Sequence, residues 1–188
     1  MTVGFRHTIR SFAGLEDIML ISQSTPAKSQ VENAAGHITV NAAFLQEIKE
    51  VNAELWDCVA NLRQQCSAPI SIRSECHTLV DRLEQLRDLL ALQFSLEEAY
   101  GYFDSPANVQ PALCRRAEVL RQEHNSLYRE IVEICDEADS LFRAGKLAVV
   151  TTLVPVRFDK FFHELERHER QECELIVESA CTDLGVGD

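Results

Sequence analysis

LCRRAEVLRQEHNSLYREIVEICDEADSL, residues 113–141, repeats an apolar residue every seven positions. Leu113, Leu120, Leu127, Ile134 and Leu141 fill one heptad position, and Ala117, His124, Ile131 and Ala138 the other. Alternating steps of three and four place all nine on one stripe of an α-helix, the stripe that must be buried against other helices. The flanking segments repeat the pattern. Upstream, Ile48, Val51, Leu55, Cys58 and Leu62 form one stripe, and Leu79, Leu83, Leu86 and Leu90 a second. Downstream, Val154, Phe158, Phe161 and Leu165 form another.

Helix breakers separate these segments. Gly4, Gly14, Pro26 and Gly36 crowd the first 36 residues, then Pro69, Gly101, Pro106, Pro111, Gly145, Gly185 and Gly187 follow. Residues 1–37 read as a loosely structured lead-in, residues 38–183 as four helices, and residues 184–188 as a tail. Pro155 alone falls inside a segment, so it either kinks the fourth helix or marks its start, with residues 147–154 as a separate turn or short helix. Short connections favour antiparallel neighbours, and the expected fold is all-α, an up-down-up-down four-helix bundle.

Composition agrees. Of 188 residues, only 7 are Gly and 5 are Pro, too few turn formers for a β-sandwich or a βαβ array. The 18 Lys and Arg against 30 Asp and Glu leave a formal charge of −12, which repels phosphate backbones and anionic lipid. Nucleic acid and membrane surfaces are therefore not expected partners. No apolar run approaches the about 20 residues of a membrane span, and IMLI at residues 18–21 is too short for a signal-peptide core. The expected location is the cytoplasm. Seven cysteines without a Cys-x-x-Cys pair fit neither a disulfide framework nor a thiolate zinc site, so they are expected as reduced, mostly buried thiols.

Polar groups continue the apolar stripes. Beyond Leu86 and Leu90 the same spacing reaches Gln93 and Glu97; beyond Phe161 and Leu165 it reaches His168 and Glu172. His124 sits within the third stripe. Each alone has a plain structural reading: a hydrogen-bonded core histidine, or a glutamate curling out to water. Together they put two imidazoles and two carboxylates from three helices where a core belongs. An ionised carboxylate there costs several kcal/mol unless paired or metal-bound. His168 and Glu172, four residues apart, point to the same place. His124 precedes Gly145 by 21 residues and His168 follows it by 23, so a hairpin turning at residues 144–146 sets them at the same height. For Glu97 to reach that depth, the second helix is expected to continue past Tyr100. Imidazole with carboxylate in a helical bundle suits iron, manganese or zinc.

Three stretches, LRDLLALQFSLEE (86–98), EHNSLYREI (123–131) and FHELERHERQECELI (162–176), resemble the hemerythrin-like, or HHE cation-binding, family over roughly residues 40–180. That family's bundle holds two irons, bridged by a carboxylate from the second helix and one from the fourth, with histidines from all four helices. The resemblance implies Glu97 and Glu172 as the bridging carboxylates, with His124 and His168 as third- and fourth-helix ligands. Two positions depart from it. Gln93 stands where the second-helix histidine is expected. In EIKEVNAELW (47–56), Val51, with Asn52 beside it, replaces the first-helix histidine. Both losses fall on the same iron. Tyr128, one turn after His124, occupies the place of a further histidine in some members; it is either a phenolate ligand or, with Val51 and Gln93, pocket lining, or simply a half-buried tyrosine against the core.

The resemblance then implies a metal-binding sensing or binding domain, not an oxygen carrier. One iron is expected rather than two, on Glu97, His124, His168 and Glu172, with manganese or zinc as alternatives. The competing reading is a metal-free bundle serving as a protein-interaction module, the four groups forming an ion-paired remnant. Phosphotransfer chemistry needs an exposed histidine, and His124 lies on the apolar stripe. No nucleophile–base pair or glycine-rich phosphate loop supports hydrolysis or kinase chemistry, and a mononuclear oxygen-using enzyme would have no substrate named by the sequence. His7, His37, His77 and His163 lack partners at ligand spacing and are expected on surfaces or loops.

Overall fold

A computed structural model describes residues 42–70, 72–99 and 111–183 of the chain. Four helices occupy them: α1 (Ala42–Ser67), α2 (Arg73–Ala99), α3 (Pro111–Arg143) and α4 (Leu147–Asp183). The expected lead-in (1–37) and tail (184–188) lie outside the described residues. α1 packs on α2, α2 on α3 and α3 on α4, while α4 closes the ring on α1. The architecture is an all-α four-helix bundle.

Cross-helix pairs give the direction. Arg116 pairs with Glu178, His168 with Glu123, Lys160 with Glu130 and Arg157 with Glu137, so α4 descends as α3 ascends. The turn between them is a Schellman cap. The Lys146 amide donates to the Leu141 carbonyl at 2.9 Å and the Gly145 amide to the Phe142 carbonyl at 3.0 Å, with Gly145 at φ 70°. At the start of α2, the Ile72 amide donates to the Glu75 carboxylate at 3.2 Å, one half of a capping box. α4 is one helix from Leu147 to Asp183 with Pro155 inside it, so residues 147–154 are not a separate element.

Every stripe residue from Leu55 to Leu62, from Leu79 to Leu90 and from Val154 to Leu165 is buried, as is the α3 heptad from Leu113 to Ala138. Leu141 packs against the core from its edge. The core is interrupted along its length. A large apolar cluster runs through Leu55, Leu83, Leu127, Ile131, Phe158 and Leu165, while Leu113, Ala117, Leu120 and Leu175 form a second at the far end. Between Leu120 and Leu127 on α3, and between Leu165 and Leu175 on α4, lies a buried polar layer.

Cys58, Cys76 and Cys135 are buried free thiols, as expected of small core hydrophobes. Burial pushes the Cys58 thiol up to about 11 and the Cys135 thiol up to about 12. No described helix is long and apolar enough to cross a membrane.

Candidate metal centre

Glu97, His124, His168 and Glu172 all fall in the polar layer, each no more than 4% exposed. Their helical faces are dictated by the apolar neighbours on the same stripes: α3 cannot bury Leu120 and Leu127 without burying His124 between them. The same holds for His168 and Glu172 between Leu165 and Leu175 on α4. The two imidazole rings lie 4.9 Å apart between centroids, at the common height anticipated from Gly145. Glu97 reaches 3.4 Å from His124 Nε2 from within Arg73–Ala99. The expected continuation of α2 past Tyr100 lies outside the described residues; α2 enters the layer at Phe94, whose ring stacks on His124 at 4.0 Å and 10°.

Both imidazoles aim Nε2 at one atom. His124 Nε2 lies 3.0 Å and His168 Nε2 3.1 Å from Glu172 Oε1. Their other nitrogens are held from outside. His168 Nδ1 is 3.0 Å from Glu123, and His124 Nδ1 is 3.4 Å from Glu98. Glutamate oxygens only accept, so each Nδ1 carries the proton when it bonds its carboxylate, and a neutral ring then turns a lone pair on Nε2 toward Glu172. Lone pair against carboxylate is repulsive unless a proton or a cation lies between. His168 Nε2 has no hydrogen-bond partner despite its 3.1 Å approach to Glu172.

The layer holds more acid than the stripes revealed. Glu169 is partly buried as a residue, but its Oε1 is sealed from solvent and has no hydrogen-bond partner. Two groups have ligand atoms all within 4.8 Å of one another: His124, His168 and Glu172; and Glu97, Glu169 and Glu172. Three carboxyl groups thus face two imidazoles in the layer.

Titration reflects this excess. Burial, then the charges of Glu172 and Glu169, push the Glu97 carboxyl well above the ordinary range. Burial and Glu172 push Glu169 up to about 8, with His168 and the Asn52 amide opposing. Burial works to raise Glu172 as well, but the His124 hydrogen bond and the facing His168 imidazole outweigh it and hold that carboxyl low. For His168, burial disfavours the charged ring, yet Glu172 and Glu123 prevail and raise it.

The remaining expectations divide. Gln93 is buried in the layer and its Nε2 donates to Glu97 Oε1. Val51 is buried against Leu96, the residue before Glu97. Tyr128 is 37% exposed, so pocket lining is corrected for it. Four residues after His124 the helix has turned about 40° past it, and Leu127 and Ile131 take the inward places. His77 and His163 are exposed on the surface, the first paired with Asp81 and the second with the Asp159 carbonyl.

Glu98, Glu123 and Glu169 escaped the stripe reading because each lies one residue, about 100°, off its stripe. A signal did exist. Each site helix carries a glutamate directly beside a stripe group: Glu97-Glu98, Glu123-His124 and His168-Glu169. In a converging layer, that neighbour still touches the adjacent helix.

Chemically, the arrangement is a sealed, electron-rich donor set that could hold a metal ion, its imidazoles oriented from behind by carboxylates. No family model, curated protein or solved structure matches this chain.

Proposed function

We propose that the chain is a hemerythrin-like metal-binding domain that binds or senses a metal ion, iron before manganese or zinc. The convergence of both Nε2 atoms on Glu172 Oε1, with each Nδ1 already engaged by a glutamate, carries this reading. His124, His168, Glu172 and Glu97 would hold the ion. When bound, it supplies positive charge to a layer that lacks it. Glu98 and Glu123 keep the rings in the tautomer that offers Nε2. Phe94, Leu120, Leu127, Leu165 and Leu175 exclude water.

The mechanism of sensing is thermodynamic. Without an ion the layer strains against its own charge, and with one the bundle is stabilised, by about 2.7 kcal/mol when free metal reaches a hundredfold above Kd. Metal availability thereby sets how tightly α2, α3 and α4 are held together. Reversible oxygen carriage is not proposed, since Val51 and Gln93 withhold the imidazoles a second iron would need.

The test is thermal melting of the full chain with and without chelator, beside metal analysis of protein purified without chelator. A bound ion and a melting temperature that falls on chelation are expected; His168→Ala should abolish both. Unchanged melting and no retained metal would leave the metal-free reading, in which protonated His124 and His168 pair with Glu172 inside an interaction module.

A further inference from the structure

Ion pairs run along the outer seam of α3 and α4, from Arg116–Glu178 through Lys160–Glu130 to Arg157–Glu137. Among the described residues, Arg167–Glu123 is the seam pair whose carboxylate also touches a histidine of the layer. Glu123 divides its two oxygens. Oε2 lies 3.0 Å from His168 Nδ1, and Oε1 lies 3.6 Å from Arg167 Nη2. The guanidinium is exposed, the carboxylate half-buried and the imidazole fully buried, so the three side chains step from solvent to core. Arg167 follows the seam because it lies about 100° around α4 from the inward-facing His168. Glu98 provides the contrast. It backs His124 Nδ1 at 3.4 Å, is half-exposed, and among the described residues pairs with no Lys or Arg.

We propose that Arg167 is a positioning residue for the metal centre: through Glu123 it holds the His168 ring with Nε2 aimed inward before an ion arrives. The proposal rests on the metal reading above and deepens it, naming what sets how fast and how tightly the site fills. A glutamate side chain turns about several bonds, and holding it in one rotamer costs entropy. An ion pair on its second oxygen removes much of that freedom in advance. The ring that Glu123 orients then needs no search when the ion enters, and a preset ligand binds at lower cost. The guanidinium charge itself opposes a cation only weakly, because solvent screens it and Glu123 neutralises it. Its contact is a single nitrogen at 3.6 Å, so the charge matters here rather than the planar fork.

The experiment adds cobalt(II) to chelator-stripped full chain and follows its visible absorption, by stopped flow for uptake and by titration for affinity. Glu123→Ala should weaken binding about 10–100-fold, and Arg167→Ala, one contact further out, about five- to tenfold, chiefly through slower uptake. Arg167→Lys keeps the charge and should restore both rate and affinity. Lys160→Ala removes a seam pair of the same 3.6 Å length whose carboxylate touches no site histidine, and should leave cobalt binding unchanged. Circular-dichroism melting of each variant confirms that it folds. Arg167→Ala that takes up cobalt as fast and as tightly as the unmodified chain overturns the positioning role and leaves the metal reading intact. So does Lys160→Ala that weakens binding equally, since the seam would then act only through bundle stability. An unmodified chain that takes up no cobalt sinks both readings together.

Discussion

His124 and Leu127 occupy equivalent inward places on one helix, yet one is a liability and the other a support. What makes the histidine tolerable is its company: Glu98 behind it, Phe94 stacked on it, and Glu172 in front. Glu169 is the least tolerable member. Its carboxyl, raised to about 8, stays protonated in the folded chain at pH values where an unfolded glutamate has ionised. Between about 4.5 and 8 the native state therefore binds more protons than the unfolded state, and stability falls as pH rises. Glu97, shifted the same way, adds to this, whereas the lowered Glu172 contributes stability above 4.5 that is lost in acid. Metal-stripped protein should accordingly melt at a lower temperature at pH 8 than at pH 6. Metal-loaded protein should show the opposite order, because protons compete with the ion for its ligands. Glu169→Gln should flatten the metal-free profile and raise its melting temperature at pH 8. Tyr128→Phe should do neither, with stability changed by no more than about 0.5 kcal/mol, as for other surface positions.

α4 illustrates how helices of this bundle divide their labour. Its first half, through Phe158, Phe161 and Leu165, is pure core; His168 and Glu172 then cross the polar layer before Leu175 joins the far apolar cluster. Phe161→Ala should cost about 3–5 kcal/mol in denaturant unfolding, the usual loss for a fully buried aromatic. The turn before α4 carries a smaller cost. At Gly145 a Cβ would meet nothing within 4 Å, so the penalty of Gly145→Ala is purely that of a left-handed backbone, about 1 kcal/mol. α3 and α4 are also laced outside the core by Arg157 to Glu133 and Glu137, and by Lys160 to Glu130. These half-exposed pairs set register more than they add stability.

Across the bundle, two apolar clusters enclose one polar layer, and this arrangement links metal to folding. The flanking clusters keep water out, which magnifies every unbalanced charge between them and makes a bound cation worth more than it would be at a surface. Chelation should therefore shift unfolding of the entire bundle in one transition, read as coincident circular-dichroism and tryptophan-fluorescence melts, rather than loosen one end. Trp56, packed against the larger cluster, makes that comparison informative.

Helix number, the antiparallel turn at Gly145 and the inward aim of Glu97, His124, His168 and Glu172 were all present in the linear order of residues. Helical periodicity is a local property, and a stripe broken by a polar group remains legible as a stripe. Glu98, Glu123 and Glu169 were not legible in that way, nor was the outward position of Tyr128. Whether a side chain about 100° off the stripe meets solvent or a neighbouring helix depends on how closely the helices approach at that height. Only the packed bundle decides that distance, and with it which carboxylates share the buried layer.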